Sequence, residues 1–287
     1  MSLLIGALIV VVSVFGGFVA HGGQLLAIWQ PWEIVMICGA AIGAFVIANP
    51  RSTVMRVAQV VSAQFRAARY TRAHYVELLQ LMHALFAKAR KQGLIALEAD
   101  IDDPDSSELF ARFPEIARDG ATITFIRDYM RLIISGDMDS FQLENLMDVE
   151  LETHHQQAAE PGHAVHRIAD ALPGFGIVAA VLGIVNTMSA LGGPVEEIGT
   201  KVAAALVGTF LGILLAYGFV GPLATALTRH ADDEWHHYTI IKTCLIAHLR
   251  GHAPKVAVEF GRKAIPEPLR PRFEALEAEL EPASSGA

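Results

Sequence analysis

Histidine is the residue type here with the most evident capacity for chemistry. The chain has twelve, and they gather as His154–His155, as His163 with His166, and as His236–His237. Imidazole is a common metal ligand. Neighbouring side chains on a helix, however, point about 100° apart, so neither doublet closes on a single ion. His163 and His166 share a helix face, but no cysteine stands near them and no set of supporting carboxylates is evident, so a metal site is not expected. The two cysteines, Cys38 in an apolar stretch and Cys244 far along the chain, are expected to pack rather than to pair. The sequence carries neither a phosphate-cradling glycine loop nor a nucleophile elbow, and an enzyme is not expected. A net charge of −8 opposes nucleic-acid binding as a main task.

Equally informative is where ionisable residues are missing. Met1 to Trp32, Ile34 to Pro50, Ala171 to Val195 and Val202 to Thr228 contain no Asp, Glu, Lys or Arg. A membrane helix needs about 20 mainly apolar residues, and these stretches supply four spans, at about 3–20, 34–50, 171–192 and 202–224. The first has no basic residue ahead of it and carries Phe18 three places before a break after Ala20, so it reads as a span and not as a cleaved leader. Proteins that move protons usually place an acid or histidine within the membrane. His21 and Glu33 lie only at the boundary. Any titrating carboxylate inside the membrane must therefore come from another chain. What the spans do offer is small residues at four-residue spacing, Gly39 with Gly43 and Gly208 with Gly212, which suit close helix packing. Thr209 is a hydroxyl that would either line a path or bond its own helix backbone. Pro173 and Pro222 stand near the ends of the third and fourth spans, where each marks a boundary or a bend.

Composition fits this division, with 53% hydrophobic and 18% charged residues. Of the 22 Lys and Arg, thirteen lie in residues 51–170 and eight follow residue 225. Basic segments stay cytoplasmic, so both are expected inside, together with the two termini. Arg51, Arg56, Arg66, Arg69 and Arg72 read as membrane-proximal anchors, and Arg167 and Arg229 support the same orientation. The domains expected are therefore a transmembrane hairpin over 1–50, a helical cytoplasmic domain over 51–170, a second hairpin over 171–224, and a helical tail over 225–287 with a disordered end.

Within 51–170, Leu78, Leu81, Met82, Leu85, Phe86 and Ala89 recur at helical spacing until Gly93 supplies a stop. A short continuation over Leu94–Ile101 leads into the turn Asp102-Asp103-Pro104-Asp105. Ser106 or Ser107 caps the next short helix, and Pro114 ends it before another over about 115–134. Asp139 with Gln142 forms a capping box for a helix running towards Gln157, with Pro161-Gly162 as its interruption. Beyond residue 225 the helical tail is expected to fray at Pro266, Pro268 and Pro271. No strand pattern competes, and the fold class expected is an all-α membrane protein.

Three runs carry a resemblance to a known family. They are Pro173-Gly174-Phe175-Gly176-Ile177-Val178-Ala179-Ala180-Val181-Leu182-Gly183, the stretch from Ala205-Leu206-Val207-Gly208-Thr209-Phe210-Leu211-Gly212 through Gly221-Pro222, and Arg90-Lys91-Gln92-Gly93 followed by Glu98. The chain resembles the MotA family of flagellar motor stator subunits over nearly its whole length. The resemblance implies a bacterial inner-membrane ring of identical copies, a pentamer, around a dimer of MotB whose single membrane helix carries the essential aspartate. Ion flow would then drive the rotor protein FliG. It further implies that Arg90 and Glu98, with Glu150 of less certain weight, act on the rotor, and that Pro173 and Pro222 couple conformation. Thr209 would lie near the ion path. The position that carries a hydroxyl in sodium-driven members is Ala180 here, which implies the proton as coupling ion and no other cofactor. Two readings compete. An energiser of the ExbB or TolQ type resembles the chain around spans three and four but has three spans, and a passive membrane scaffold would need no partner carboxylate.

Overall fold

A computed structural model describes residues 2–64, 69–189 and 192–280, and among these every regular element is helical. The main helices in chain order are α1 (Leu3–Ala20), α2 (Pro31–Ala48, preceded by a helical turn over Leu25–Ile28), α3 (Arg51–Ala63), α4 (Arg72–Gln92), α5 (Glu98–Asp102), α6 (Glu108–Ala111), α7 (Pro114–Ala117), α8 (Gly120–Ser135), α9 (Ser140–Met188), α10 (Val195–Leu215), α11 (Gly221–Leu249), α12 (Pro254–Ala264) and α13 (Phe273–Leu280). Arg66 lies outside the described residues. Four helical stretches are long and apolar enough to cross a membrane: Leu3–Ala20, Leu25–Ala48, and the apolar parts of Ser140–Met188 and Val195–Leu249. Together they make this a multi-pass membrane protein.

Local chemistry sets the boundaries. Thr71 accepts a hydrogen bond from the His74 amide at the start of α4, and Gly93 ends that helix at φ 87°, a conformation that favours glycine. The Ser107 hydroxyl accepts from the Leu109 and Phe110 amides. Asp139 and Gln142 form the reciprocal box: the Asp139 carboxylate accepts from the Gln142 amide at 2.8 Å, and the Gln142 side chain accepts from the Asp139 amide at 3.1 Å. Pro114 opens a helix instead of only ending one. It occupies the first position of α7, where no amide donor is needed, and the Glu77 carboxylate accepts from the Glu115 amide at 2.7 Å. Asp119 then caps α8 as a separate element, so the single helix expected over 115–134 is two.

The chain divides into two compact units, Met1–Ala67 with Ala158–His230, and Ala68–Gln157 with Ala231–Ala287. In the first, Ile37 and Ala41 of α2 pack with Leu172 and Ala179 of α9 and Leu211 of α10. The centre of that packing is backbone against backbone. A Cβ on Gly176 would lie 2.9 Å from the Gly208 carbonyl oxygen, and one on Gly212 would lie 2.8 Å from the Leu172 carbonyl oxygen. Gly39 and Gly43 behave differently, since a Cβ on either would meet nothing within 4 Å. Among the described residues nothing packs closely at that pair, because spacing names a helix face without saying which neighbour it meets. Elsewhere in this unit large apolar side chains stand exposed, among them Leu4, Leu8, Ile42, Ile47, Val181 and Val185.

The interruption expected at Pro161-Gly162 does not occur, and α9 continues through it. Both residues are buried, and Gly162 is there for proximity: its Cβ would come 2.9 Å from the Thr228 amide nitrogen of α11. Val165, Ala224 and Leu227 pack beside this contact.

The second unit surrounds a core drawn from α4, α8, the first turns of α9, α11 and the tail. The tail is held closely. Ala257, Val258, Ile265 and Leu276 join that core, Arg262 donates to the Pro271 carbonyl at 2.9 Å, and Arg270 donates to the Ile265 carbonyl at 3.0 Å. The fraying expected at Pro266, Pro268 and Pro271 is therefore absent, since these prolines connect two docked helices. Residues 281–287, where a disordered end is expected, lie outside the described residues.

Because no gap exists at the α9–α10 crossing, Gly176→Val or Gly212→Val should destabilise the chain by about 1–3 kcal/mol or more, the usual consequence of overpacking. Gly39→Ala and Gly43→Ala should not. Thermal unfolding of the detergent-solubilised chain separates the two pairs, and equal melting temperatures for all four variants would contradict the packing described.

Candidate functional site

Each unit contributes one group of residues. In the second unit, Arg90 sits in the last turn of α4, and Glu98 opens α5 after a 3₁₀ turn over Leu94–Leu97. Both are exposed, and among the described residues neither forms a salt bridge. Core packing fixes the turn between them, with Leu97 fully buried and Leu94 against the core. The remaining charges nearby are largely engaged. Lys88 pairs with Asp100 at 2.5 Å, and Ser107 donates to the same carboxylate at 2.7 Å. Arg131 pairs with Asp102 at 2.6 Å. Arg90 and Glu98 are thus held in position while their charged ends stay in water, where a charge costs little to keep. Glu150 differs from them, because its carboxylate accepts a hydrogen bond from the Tyr129 hydroxyl. Burial and that bond to Glu150 raise the Tyr129 pKa above its ordinary value.

A polar chain in the interior of this unit has no clear signature in the sequence. The Thr122 hydroxyl donates to the Asp119 carboxylate at 2.7 Å, so as an acceptor it faces His237 Nε2 at 2.8 Å. That leaves His237 Nδ1 to accept from His74 Nε2 at 3.4 Å. Asp119 can only accept when ionised, so it sets the direction of every proton along the chain. Arg69 closes the far end by pairing with Asp119. Arg69, expected as a membrane-proximal anchor, is therefore a partner within this network. Burial opposes ionisation of Asp119, but the two hydrogen bonds from Thr122, the Arg69 guanidinium and His237 outweigh it and hold the carboxyl below its ordinary range. His237 is fully buried, and burial followed by the proximity of His74 lowers its pKa to about 3. Only the pairing of His236 with His237 hints at this in sequence, because His74 and His237 are 163 residues apart. His166 Nε2 lies 3.9 Å from Asp170, a carboxylate neighbour not expected from the sequence, and no group of three or more donors able to hold a metal occurs among the described residues.

In the first unit the α9–α10 crossing brings several of the expected residues together. The Ala180 backbone nitrogen would be 3.4 Å from a Cβ on Gly208, and the Thr209 Cα 3.4 Å from one on Gly176. Leu172, beside Pro173, meets Gly212. Other threonines on these helices return their hydroxyl to the backbone, as Thr187 does to Gly183 and Thr200 to Glu196. Among the described residues Thr209 makes no such bond, so its hydroxyl remains available. Pro222 is placed apart from this crossing, at the second position of α11, directly after a π-helical turn over Ala216–Val220 in which the Gly221 amide reaches back to the Ala216 carbonyl. The wider turn absorbs the register change next to a residue that lacks a donor.

Four apolar spans, a glycine-packed pair of helices and a charged helical unit define a polytopic membrane protein whose apolar cores carry no acid or base. The model of the motility protein A N-terminal region matches residues 4–93, and that of the MotA/TolQ/ExbB proton channel family matches residues 118–239. Motility protein A of Salmonella typhimurium is 46% identical over 96% of this chain and 94% of its own, and that of Escherichia coli 45% over the same shares. Chemotaxis protein LafT of Vibrio parahaemolyticus is 37% identical over 96% of the chain and 97% of its own. The flagellar MotAB stator complex of Bacillus subtilis superposes with a TM-score of 0.73 at 25% identity, covering 89% of this chain and 92% of its counterpart. The chain belongs to the motility protein A family, a branch of the MotA/TolQ/ExbB proton channel family.

The buried relay predicts a pH dependence of stability. The folded state keeps His237 neutral down to about 3, whereas the unfolded chain takes up a proton near 6.5. Below pH 6.5 the unfolded state binds more protons, so stability falls as pH drops from 6.5 towards 3 and is insensitive to this group above that range. His237→Gln should lower the melting temperature at pH 7.5, by leaving Thr122 or His74 without a partner, and should flatten the decline between pH 6.5 and 5. Parallel pH profiles for the two proteins would contradict the relay.

Proposed function

We propose that the chain is the ion-conducting stator subunit of a bacterial flagellar motor, resident in the inner membrane with both termini in the cytoplasm. In this reading the spans over 1–50 and 171–224 cage a dimer of a MotB-type partner, whose single membrane helix supplies the essential aspartate, and several copies of this chain, a pentamer, complete the ring. The observation that carries the reading is chemical: a member of a proton channel family has no acid or base in any of its four apolar cores. A carboxylate must then arrive on another chain. The Bacillus subtilis neighbour is a MotAB stator complex, which supports a partner of that kind.

The outward apolar surface of the first unit is covered by lipid, by the partner's helices and by neighbouring copies. Thr209 lies along the ion path, and Pro173 and Pro222 transmit the change that follows protonation of the partner. The cytoplasmic helical domain over 51–170 carries the torque surface, where Arg90 and Glu98, with Glu150 as a lesser contributor, act on opposite charges of the rotor protein FliG. Exposed charges suit that task. They steer a partner over a Debye length of about 8 Å and release it readily.

The coupling ion is the proton. A sodium ion needs several oxygen ligands to replace its hydration shell. Ala180 offers a methyl group near the crossing where a second hydroxyl beside Thr209 would help meet that need.

Deletion of the gene should leave cells with assembled flagella that do not rotate, as followed by tracking swimming cells, and normal swimming without a second stator set would overturn the reading. Swimming speed at constant pH should be insensitive to sodium concentration and abolished by a protonophore. Dependence on sodium with resistance to the protonophore would contradict proton coupling.

A further inference from the structure

Between Arg90 and Glu98 stands an apolar residue that the structure leaves in water. The 3₁₀ turn over Leu94–Leu97 packs Leu94 and Leu97 against the core. Side chains three apart in such a turn eclipse one another, so burying that pair turns Ile95 and Glu98 outward together. Ile95 is accordingly 76% exposed although it lies in a well-packed unit. Leu94 of the same turn lines a cleft of about 360 Å³ together with Arg90, Ile133, His248, Leu249 and His252, among others. His248 stacks on Phe86 at 4.3 Å, and its Nδ1 is buried without a hydrogen-bond partner. Burial and then the nearby Arg90 lower the His248 pKa, which favours the neutral ring in the cleft lining. The surface thus presents a cation, an apolar seat and an anion in sequence.

We infer that the exposed Ile95, with the cleft that Leu94 and Arg90 line, is the apolar half of the rotor contact, receiving an aliphatic side chain of a partner helix whose acidic residue meets Arg90 and whose basic residue meets Glu98. The inference rests on the reading of Arg90 and Glu98 as rotor-facing. Charge complementarity identifies the occupant: a helix carrying both signs with an apolar residue between them, as the order Arg90, Ile95, Glu98 requires. The two charges orient the partner at a distance, and the apolar seat holds it for the duration of a step.

The test is torque near stall, measured on tethered cells in which a single complex containing full-length chain drives the motor, with membrane level recorded for every variant. Ile95→Ala and Ile95→Ser should shorten the time a complex stays engaged by roughly tenfold, or about 1.4 kcal/mol, with unchanged membrane levels, and Ile95→Leu should restore it. A photo-crosslinking side chain at position 95 should form its adduct with the rotor protein. Full torque in Ile95→Ser, or an adduct with lipid or a second copy of this chain, would overturn the inference. Reversal of Arg90 and Glu98 together tests the underlying reading separately. If reversal abolishes torque while Ile95→Ser is normal, the charges act without an apolar seat. If reversal is silent, the rotor-facing assignment itself fails and the inference falls with it.

Discussion

An ionised group in hydrocarbon must be paired or solvated, and this chain satisfies that constraint by keeping every charged residue out of its four apolar cores. Much of the remaining architecture is consistent with that choice. At their crossing α9 and α10 are fixed by direct backbone contact at Gly176, Gly208 and Gly212, which relies on dispersion and shape rather than charge. The crossing is consequently intolerant of added volume. It also leaves Thr209 with a free hydroxyl amid otherwise self-satisfied helices.

The second unit solves the converse problem. Its charges are numerous, and most that approach its interior are paired, as Asp119 is with Arg69 and Asp100 with Lys88. The relay through Thr122, His237 and His74 joins α8 to α4 and α11 by hydrogen bonds whose direction one carboxylate sets. Arg90 and Glu98 remain outside this pairing, and they are held by the packing of Leu94 and Leu97 instead of by any ion pair. In the proposed function, a surface that engages and releases a moving partner benefits from that separation between what holds the residues and what they present.

Local signals are legible in the sequence and non-local ones are not. Gly93 and the Asp139–Gln142 box name their own helix ends, because stop and cap are decided within a few residues. Pro161-Gly162 looks like a break by the same local logic, yet the nearby Thr228 backbone makes it a site of close approach. The prolines near residue 270 look like a frayed end, but Arg262 and Arg270 bind the connecting carbonyls and Leu276 is buried. Glycine spacing alone treats Gly39 and Gly43 like Gly208 and Gly212, since it cannot reveal what stands opposite. His237 is indistinguishable in sequence from a solvated histidine for the same reason, as its partners come from distant parts of the chain. The resemblance to the stator family supplies the torque and ion-path assignments, which geometry by itself does not identify.

The central claim is that this chain builds an ion path whose titrating group another chain provides. Reconstituting the purified chain into vesicles with an inward proton gradient and a potential, and following internal pH with a trapped dye, tests it directly. The account predicts no proton influx beyond that of protein-free vesicles for the chain alone. It predicts influx once the single-span partner is present, and loss of that influx when the partner's membrane aspartate is replaced by asparagine. Proton flux through the chain by itself would contradict the claim.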